Sequence, residues 1–168
     1  MTDTELVRER GYGWNDPAEL FGKALEMDGL SFLTAMAEGV LPPPPISQTI
    51  GMESMMVSAG RVAISVTPQE FHFNPLGAMH GGVFATLLDT SCACSVHSSL
   101  PAGSYYTSLD LTVKYLRPVS IATGVITATG SVTHLGRRTA LAEARITDAA
   151  GKLYATATSS CLIFSAED

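Results

Sequence analysis

The sequence predicts an α+β fold, one antiparallel sheet wrapped around one long central helix, and three observations carry that reading. Residues 80–98 are apolar or small nearly all round (Val83, Phe84, Ala85, Leu87, Leu88, Cys92, Ala93, Val96), and a helix without a polar face is a buried helix. Six other segments read as strands, the clearest alternating apolar and polar residues with a period of two. Short turns join the last four of them, which requires antiparallel neighbours.

The first 27 residues are acidic and turn-rich, with Gly11, Gly13, Pro17 and Gly22, and read as a peripheral extension to one domain over 28–168. Asp28 fits the cap of a short helix carrying Leu30, Leu33, Met36 and Ala37 on one face. Gly39 and then Pro42 to Pro45 end it, and the proline run reads as a stiff connector. Gly60 divides a strand over 50–58 from one over 61–67, a hairpin pattern. After the long helix comes the clearest strand, 104–116, where Leu109, Leu111, Val113 and Tyr115 alternate with Ser108, Asp110, Thr112 and Lys114. Arg117-Pro118 ends it, because proline removes a ladder donor. Strands over 121–134, 138–147 and 152–164 follow, turned by Gly136 and by Asp148 to Gly151. One face of so short a central helix needs a second subunit to cover it.

A net charge of −6 argues against nucleic acid or an anionic membrane as the main partner. Basic residues are unevenly placed, however: six of the ten lie between 114 and 152, a local patch suited to a small anionic ligand. Three cysteines, Cys92, Cys94 and Cys161, give no disulfide framework and read as buried thiols in a reducing compartment. With no apolar run of about 18 residues and no basic-then-apolar start, the chain is expected to be soluble and cytoplasmic.

The chemistry concentrates in residues 74–89, NPLGAMHGGVFATLLD. A helix start leaves backbone N–H groups free, and His80-Gly81-Gly82 places glycines there, so that a ligand oxygen can come close. Such a donor polarises a carbonyl and stabilises the oxyanion formed when it is attacked; Asn74, in the preceding loop, adds a side-chain amide. Asp89 is a carboxylate on an apolar helix, costly to bury unless paired or functional, and it fits a general base. Eight residues at about 1.5 Å each put Gly81 and Asp89 roughly 12 Å apart, too far to act on one carbonyl. Two such helices, antiparallel across a twofold axis, bring Asp89 of one chain beside Gly81 of the other. The simplest catalytic arrangement is a homodimer with two shared sites.

Together, Asn74…His80-Gly81-Gly82…Asp89, Ser108-Leu109-Asp110-Leu111, Tyr115-Leu116-Arg117-Pro118 and Gly136-Arg137-Arg138 resemble the PaaI-like acyl-CoA thioesterases of the hotdog-fold superfamily, over roughly 28–164. The resemblance implies a hotdog dimer, often paired into tetramers, with an acyl-CoA substrate and no cofactor or metal. It implies that Asn74 and the Gly81 N–H hold the thioester carbonyl, and that Asp89 of the partner subunit activates water or attacks directly. Ser108 or Thr107 then orients the water, and His80 shapes the turn. The acyl chain lies beside the long helix, where Ala85, Ala93, Met79 and Leu88, with Met55 and Met56 from the first strand, are expected to line an adaptable pocket. Gly82, Lys114, Arg117, Arg137 and Arg138 are the expected further substrate contacts, the cations as a clamp on CoA phosphates.

Two other functions fit the fold. Hotdog hydratases use Asp-x-Asn-Pro-x-His, and here the acid position is His72 and the histidine position is Gly77, so both catalytic groups are missing. A non-catalytic acyl-CoA sensor would have little reason to keep Asp89, and the first 27 residues do not resemble the DNA-binding segment of such sensors. Cys92 and Cys94 stand about 200° apart around a helix, so they cannot share a metal ion, and His72, His97 and His134 lack ligand spacing.

Overall fold

Asp16 accepts a hydrogen bond from Ala18 N at 2.9 Å, and Pro17 fills the first position of helix α1, Pro17–Glu26, inside the expected turn-rich extension. The computed structural model describes residues 8–165, so residues 1–7 of that extension lie outside the described residues. Leu20 of α1 is buried in the core, which the turn-like glycines had masked. Asp28 caps α2, Gly29–Ala37, accepting from Ser31 N at 2.9 Å, as the sequence predicts. Phe32 and Leu33 are its buried residues, whereas Leu30 faces outward. The proline run is more than a connector: Pro45 starts a third helix, α3, Pro45–Ile50, because a ring-fixed φ and a missing N–H cost nothing at that position.

Strands β1 (Ser54–Ser58) and β2 (Arg61–Val66) form the expected hairpin, turned by Gly60 at φ 72°. Then come the central helix α4 (Gly81–His97), β3 (Ser104–Tyr115), β4 (Ile126–Leu135), β5 (Thr139–Asp148) and β6 (Leu153–Ser165). The start expected at 121 is a 3-10 turn, Ile121–Thr123, and β4 begins only after Gly124. All pairings are antiparallel, in one six-stranded sheet of order β1-β2-β4-β5-β6-β3. Alternation fixes the faces: in β5, Ala140, Ala142, Ala144 and Ile146 point into the core, and Leu141, Glu143 and Arg145 point out.

The helix is held unusually close to the sheet. Ser95 Oγ on α4 accepts from Val62 N of β2 at 3.0 Å. A side chain at Gly130 on β4 would stand 2.1 Å from the Ser91 carbonyl oxygen, so only glycine admits the helix backbone there.

The chain leaves one face of α4 uncovered: from Ser91 onward the helix is buried, but Gly82, Ala85, Thr86 and Asp89 form a stripe beside edge strand β3 that the chain itself does not cover. Thr86 and Thr90 donate to carbonyls one turn back, Gly82 O and Thr86 O. One expectation is corrected: strict alternation in β3 fails. A β-bulge at Leu109 shifts the register from Ser108↔Cys161 to Asp110↔Ser160. Leu109 is turned outward, while Leu111 and Val113 pack on the core. No helix among the described residues is long and apolar enough to cross a membrane.

His72 and His97 are buried, and burial holds both rings below the ordinary histidine value. A folded-state pKa below the unfolded value near 6.5 means that the unfolded chain binds more protons as pH falls. Their contribution to stability is therefore complete above about pH 6.5 and is lost below it. Melting temperature is expected to stay level from pH 8 to 7 and to fall from pH 6.5 toward 5. The His97→Phe variant should show a shallower fall; a wild-type profile that stays flat to pH 5 would contradict this.

Candidate active site

The loop before α4 is shaped by Asn74. Its Oδ1 accepts from Leu76 N at 2.9 Å and more weakly from Ala78 N at 3.4 Å, and its backbone N donates to Ala78 O at 2.8 Å. Gly77, at φ 78°, makes the turn. Because the carbonyl end of the Asn74 amide serves the loop, its Nδ2 is left without a partner among the described residues. His80 caps α4: its Nδ1 accepts from Gly82 N at 2.9 Å, and its own N–H donates to His72 O at 2.8 Å. His80 therefore holds the turn that leads into α4.

The cap separates the two glycines. Gly82 spends its N–H on the His80 ring, whereas the Gly81 N–H has no partner among the described residues. Gly81 and Asn74 line one cavity of about 340 Å³ with Met79, Phe84, Tyr115 and Arg117. Tyr115 closes its side: the hydroxyl donates to Gly81 O at 3.1 Å and the ring stacks edge-on against Phe84. A Cβ on Gly81 would stand 3.2 Å from that hydroxyl. Sequence reasoning gave Tyr115 no role; the bulge at Leu109 re-aims the end of β3, and nothing local in the sequence marks the bulge.

Asp89 lies elsewhere on the helix, half-buried rather than enclosed. Its Oδ1 accepts from Ser108 Oγ at 3.0 Å, which fixes the carboxylate, and the residue lines a second cavity of about 400 Å³. Ala85, Thr86, Leu109, Asp110 and Leu111 line it too. Of the two hydroxyls offered by the sequence, Ser108 is the one that meets Asp89; Thr107 points to the opposite face of β3 and is exposed. The structure thus brings Asn74 with Gly81, and Asp89 with Ser108, but sets the two pairs in separate cavities of one chain.

The basic residues do not converge. Arg117 lies in the Asn74–Gly81 cavity and donates to Leu153 O at 2.6 Å. Lys114 lies on the outer sheet face beside Glu143 and Arg145. Arg137 lines a cavity near Ser99 and Leu100, past the C-terminal end of α4. Arg138, like Arg137, precedes β5 in the turn. Met55 and Met56 are corrected as well. They sit on β1, at the sheet edge opposite β3, where Met55 lines a groove with Met36 and Met52 and Met56 is exposed. Leu88 is fully buried in the core, while Met79 does reach the Asn74–Gly81 cavity.

Neither helix thiol is a nucleophile candidate. Cys92 and Cys94 are each pushed up to about 12, first by burial and then by the Asp89 carboxylate. Among the described residues, no group of three or more His, Cys, Asp or Glu is placed to hold a metal ion.

The sequence pattern of the thioesterase superfamily matches residues 76–155, which take in the end of the loop that follows Asn74, α4 and β3 to β5, with Asn74 itself just outside the match. A 1,4-dihydroxy-2-naphthoyl-CoA hydrolase of Listeria monocytogenes is 29% identical over 108 residues, 64% of this chain and 86% of that protein. Human acyl-coenzyme A thioesterase 13 is 30% identical over 103 residues, 60% of this chain and 72% of that protein. Among solved structures, a phenylacetic acid degradation-related protein of Ralstonia eutropha superposes with TM-score 0.69 at 26% identity, over 77% of this chain and 97% of that one. The E. coli PaaI protein shares the fold, with TM-score 0.70 at 22% identity over 84% of this chain and 96% of that one. The chain belongs to the thioesterase superfamily and has its hotdog fold.

Proposed function

We propose that the protein hydrolyses acyl-CoA thioesters to a free acid and CoA, at two sites each shared between two copies of the chain. The observation that carries the reading is the division of the site. The carbonyl-binding donors, Asn74 and Gly81, line one cavity, and the base, Asp89 with Ser108, lines another, about 12 Å along α4. Two copies that join their uncovered α4 stripes antiparallel place each Asp89 against the other copy's Gly81. The thioester oxygen then accepts from Gly81 N–H and Asn74 Nδ2, which stabilise the oxyanion as charge develops. Either Asp89 takes the proton of the attacking water and collapse of the tetrahedral centre expels the CoA thiolate, or Asp89 attacks the carbonyl carbon, collapse expels the thiolate and leaves an acyl-aspartyl anhydride, and water then cleaves that anhydride to the free acid and Asp89. Ser108 holds one carboxylate oxygen so that the other faces the reacting carbon.

Arg117 is the cation best placed for a CoA phosphate, since it alone of the four expected clamp residues shares a cavity with Asn74 and Gly81. No cofactor enters this chemistry. The three cysteines are all free, in keeping with a cytoplasmic setting. The test is free-thiol release from a panel of aliphatic and aryl acyl-CoAs. Release is expected, and its ranking gives the acyl class. Tight binding without release from any of them would leave a non-catalytic acyl-CoA binder.

A further inference from the structure

The N-terminal segment before α1 is tied to the far side of the Asn74 loop chiefly through Arg10. Arg10 donates through both terminal nitrogens, to Gln48 O at 2.6 Å and Thr49 O at 2.7 Å, two of the last carbonyls of α3. Gln48 O also accepts from Gly51 N at 3.2 Å, whereas Thr49 O has Arg10 as its partner, and a planar guanidinium is the side chain suited to taking two carbonyls at once. The next carbonyl, Ile50 O, is taken by His72 Nε2 at 2.7 Å. Three consecutive carbonyls at one helix end are therefore contacted by the N-terminal segment or by the turn that leads into the site. The guanidinium also lies 4.0 Å over the Phe71 ring, and Arg8 pairs with Glu70, so the segment grips that turn as well as α3.

His72 carries the connection inward. Its Nδ1 accepts from Gln69 N at 3.0 Å, so Nε2 is the nitrogen that bears the proton given to Ile50 O. Its carbonyl receives the His80 N–H at 2.8 Å, and Phe73 then pairs with Met79 as an isolated bridge around the Asn74 loop. The backbone between Phe71 and His80 is thus anchored at its start through Phe71 and His72, where Arg10 packs, and near its end by Met79 N, which donates to Val119 O at 2.9 Å.

We infer that Arg10 is a positioning residue for the Asn74–Gly81 half of the site, acting through Phe71 and His72 on the loop that presents Asn74 and on the His80 cap. Arg10 touches neither cavity, and its consequence for turnover rests on the thioester reading above. Its effect on the loop does not, so the two can fail separately. The charged groups around the His72 ring are Arg10 itself and the Arg8–Glu70 pair at the start of the turn. Arg10 helps keep the ring neutral, since a second cation beside it is disfavoured.

The experiment compares the full-length wild type with Arg10→Met and Arg10→Lys, by amide hydrogen exchange, by NMR titration of His72 and by acyl-CoA turnover. In Arg10→Met, exchange at the His80 and Asn74 amides is expected to quicken about tenfold, with the buried sheet amides of Val62 and Ile146 unchanged. The His72 titration should move to higher pH in Arg10→Met and stay put in Arg10→Lys, which keeps the charge and loses the fork. Arg10→Lys should still show the faster loop exchange. Turnover by Arg10→Met should lose about fivefold to tenfold in kcat, with KM within twofold, as expected for a displaced donor pair. Unchanged exchange at His80 and Asn74 would overturn the inference, and so would faster exchange with an unchanged kcat. Faster exchange in a protein whose wild type hydrolyses no acyl-CoA would support the strap and overturn the thioester reading alone.

Discussion

Asp89→Asn is expected to lower kcat by about a thousandfold, the scale of a lost general base, while leaving KM within a few-fold of wild type. The substitution is close to isosteric, and the Asn oxygen can still accept from Ser108 Oγ, so the α4–β3 contact at 3.0 Å survives. What disappears is the ability to take a proton from water or to attack a carbonyl. Circular dichroism, melting temperature and oligomeric state should therefore match wild type, and the loss should lie in kcat. A variant with near-wild-type kcat would place the base elsewhere and make Asp89 a structural acid.

The second large effect belongs to Gly81, and it can be separated from simple crowding. Gly81 is the first residue of α4, where proline is well tolerated, and His80 already holds the extended conformation that precedes proline, φ −64° and ψ 139°. Gly81→Pro therefore deletes the free N–H and keeps the helix start. It also adds a Cβ about where Tyr115 approaches, 3.2 Å from its hydroxyl. Gly81→Ala adds the same carbon and keeps the N–H, so it is the control. Gly81→Pro should cost about a hundredfold or more in kcat, the usual loss for one oxyanion donor, and Gly81→Ala much less, because half-exposed Tyr115 can give way. Equal losses in the two variants would mean that crowding, and not the donor, sets the rate.

Much of this architecture could be read from residue periodicity. The central helix, the six strands of the sheet and the Asp28 cap all follow from local signals: an apolar run of helical length, strand-like runs bounded by turn residues, an acid before an apolar stretch. The parts that escaped the sequence depend on non-local or conflicting signals. Helix α1 was hidden because Gly11, Gly13 and Gly22 read as turns, although Asp16-Pro17 is itself a helix start. The bulge at Leu109 is a property of how β3 pairs with β6, and so the outward turn of Leu109 and the place of Tyr115 over Gly81 could not be seen in β3 alone. An uncovered face of α4 was expected from the length of the helix, but which residues form it, Gly82, Ala85, Thr86 and Asp89, required three dimensions. For the site, the pairing of glycine donor with Asn74 and the distance from Gly81 to Asp89 were legible from spacing. The choice of Ser108 over Thr107, the occupation of the Gly82 N–H by His80 and the scatter of the cations required three dimensions.

The central claim is that each site draws Gly81 from one copy and Asp89 from another, and mixing two inactive variants tests it most directly. Asp89→Asn chains and Gly81→Pro chains are each expected to be nearly inactive alone. After subunit exchange in equal amounts, half of the dimers are mixed, and each holds one site with Gly81 and Asp89 both intact. Activity should then recover to about a quarter of wild type. Confirmed exchange with no recovered activity would contradict a shared site and return both residues to a single chain.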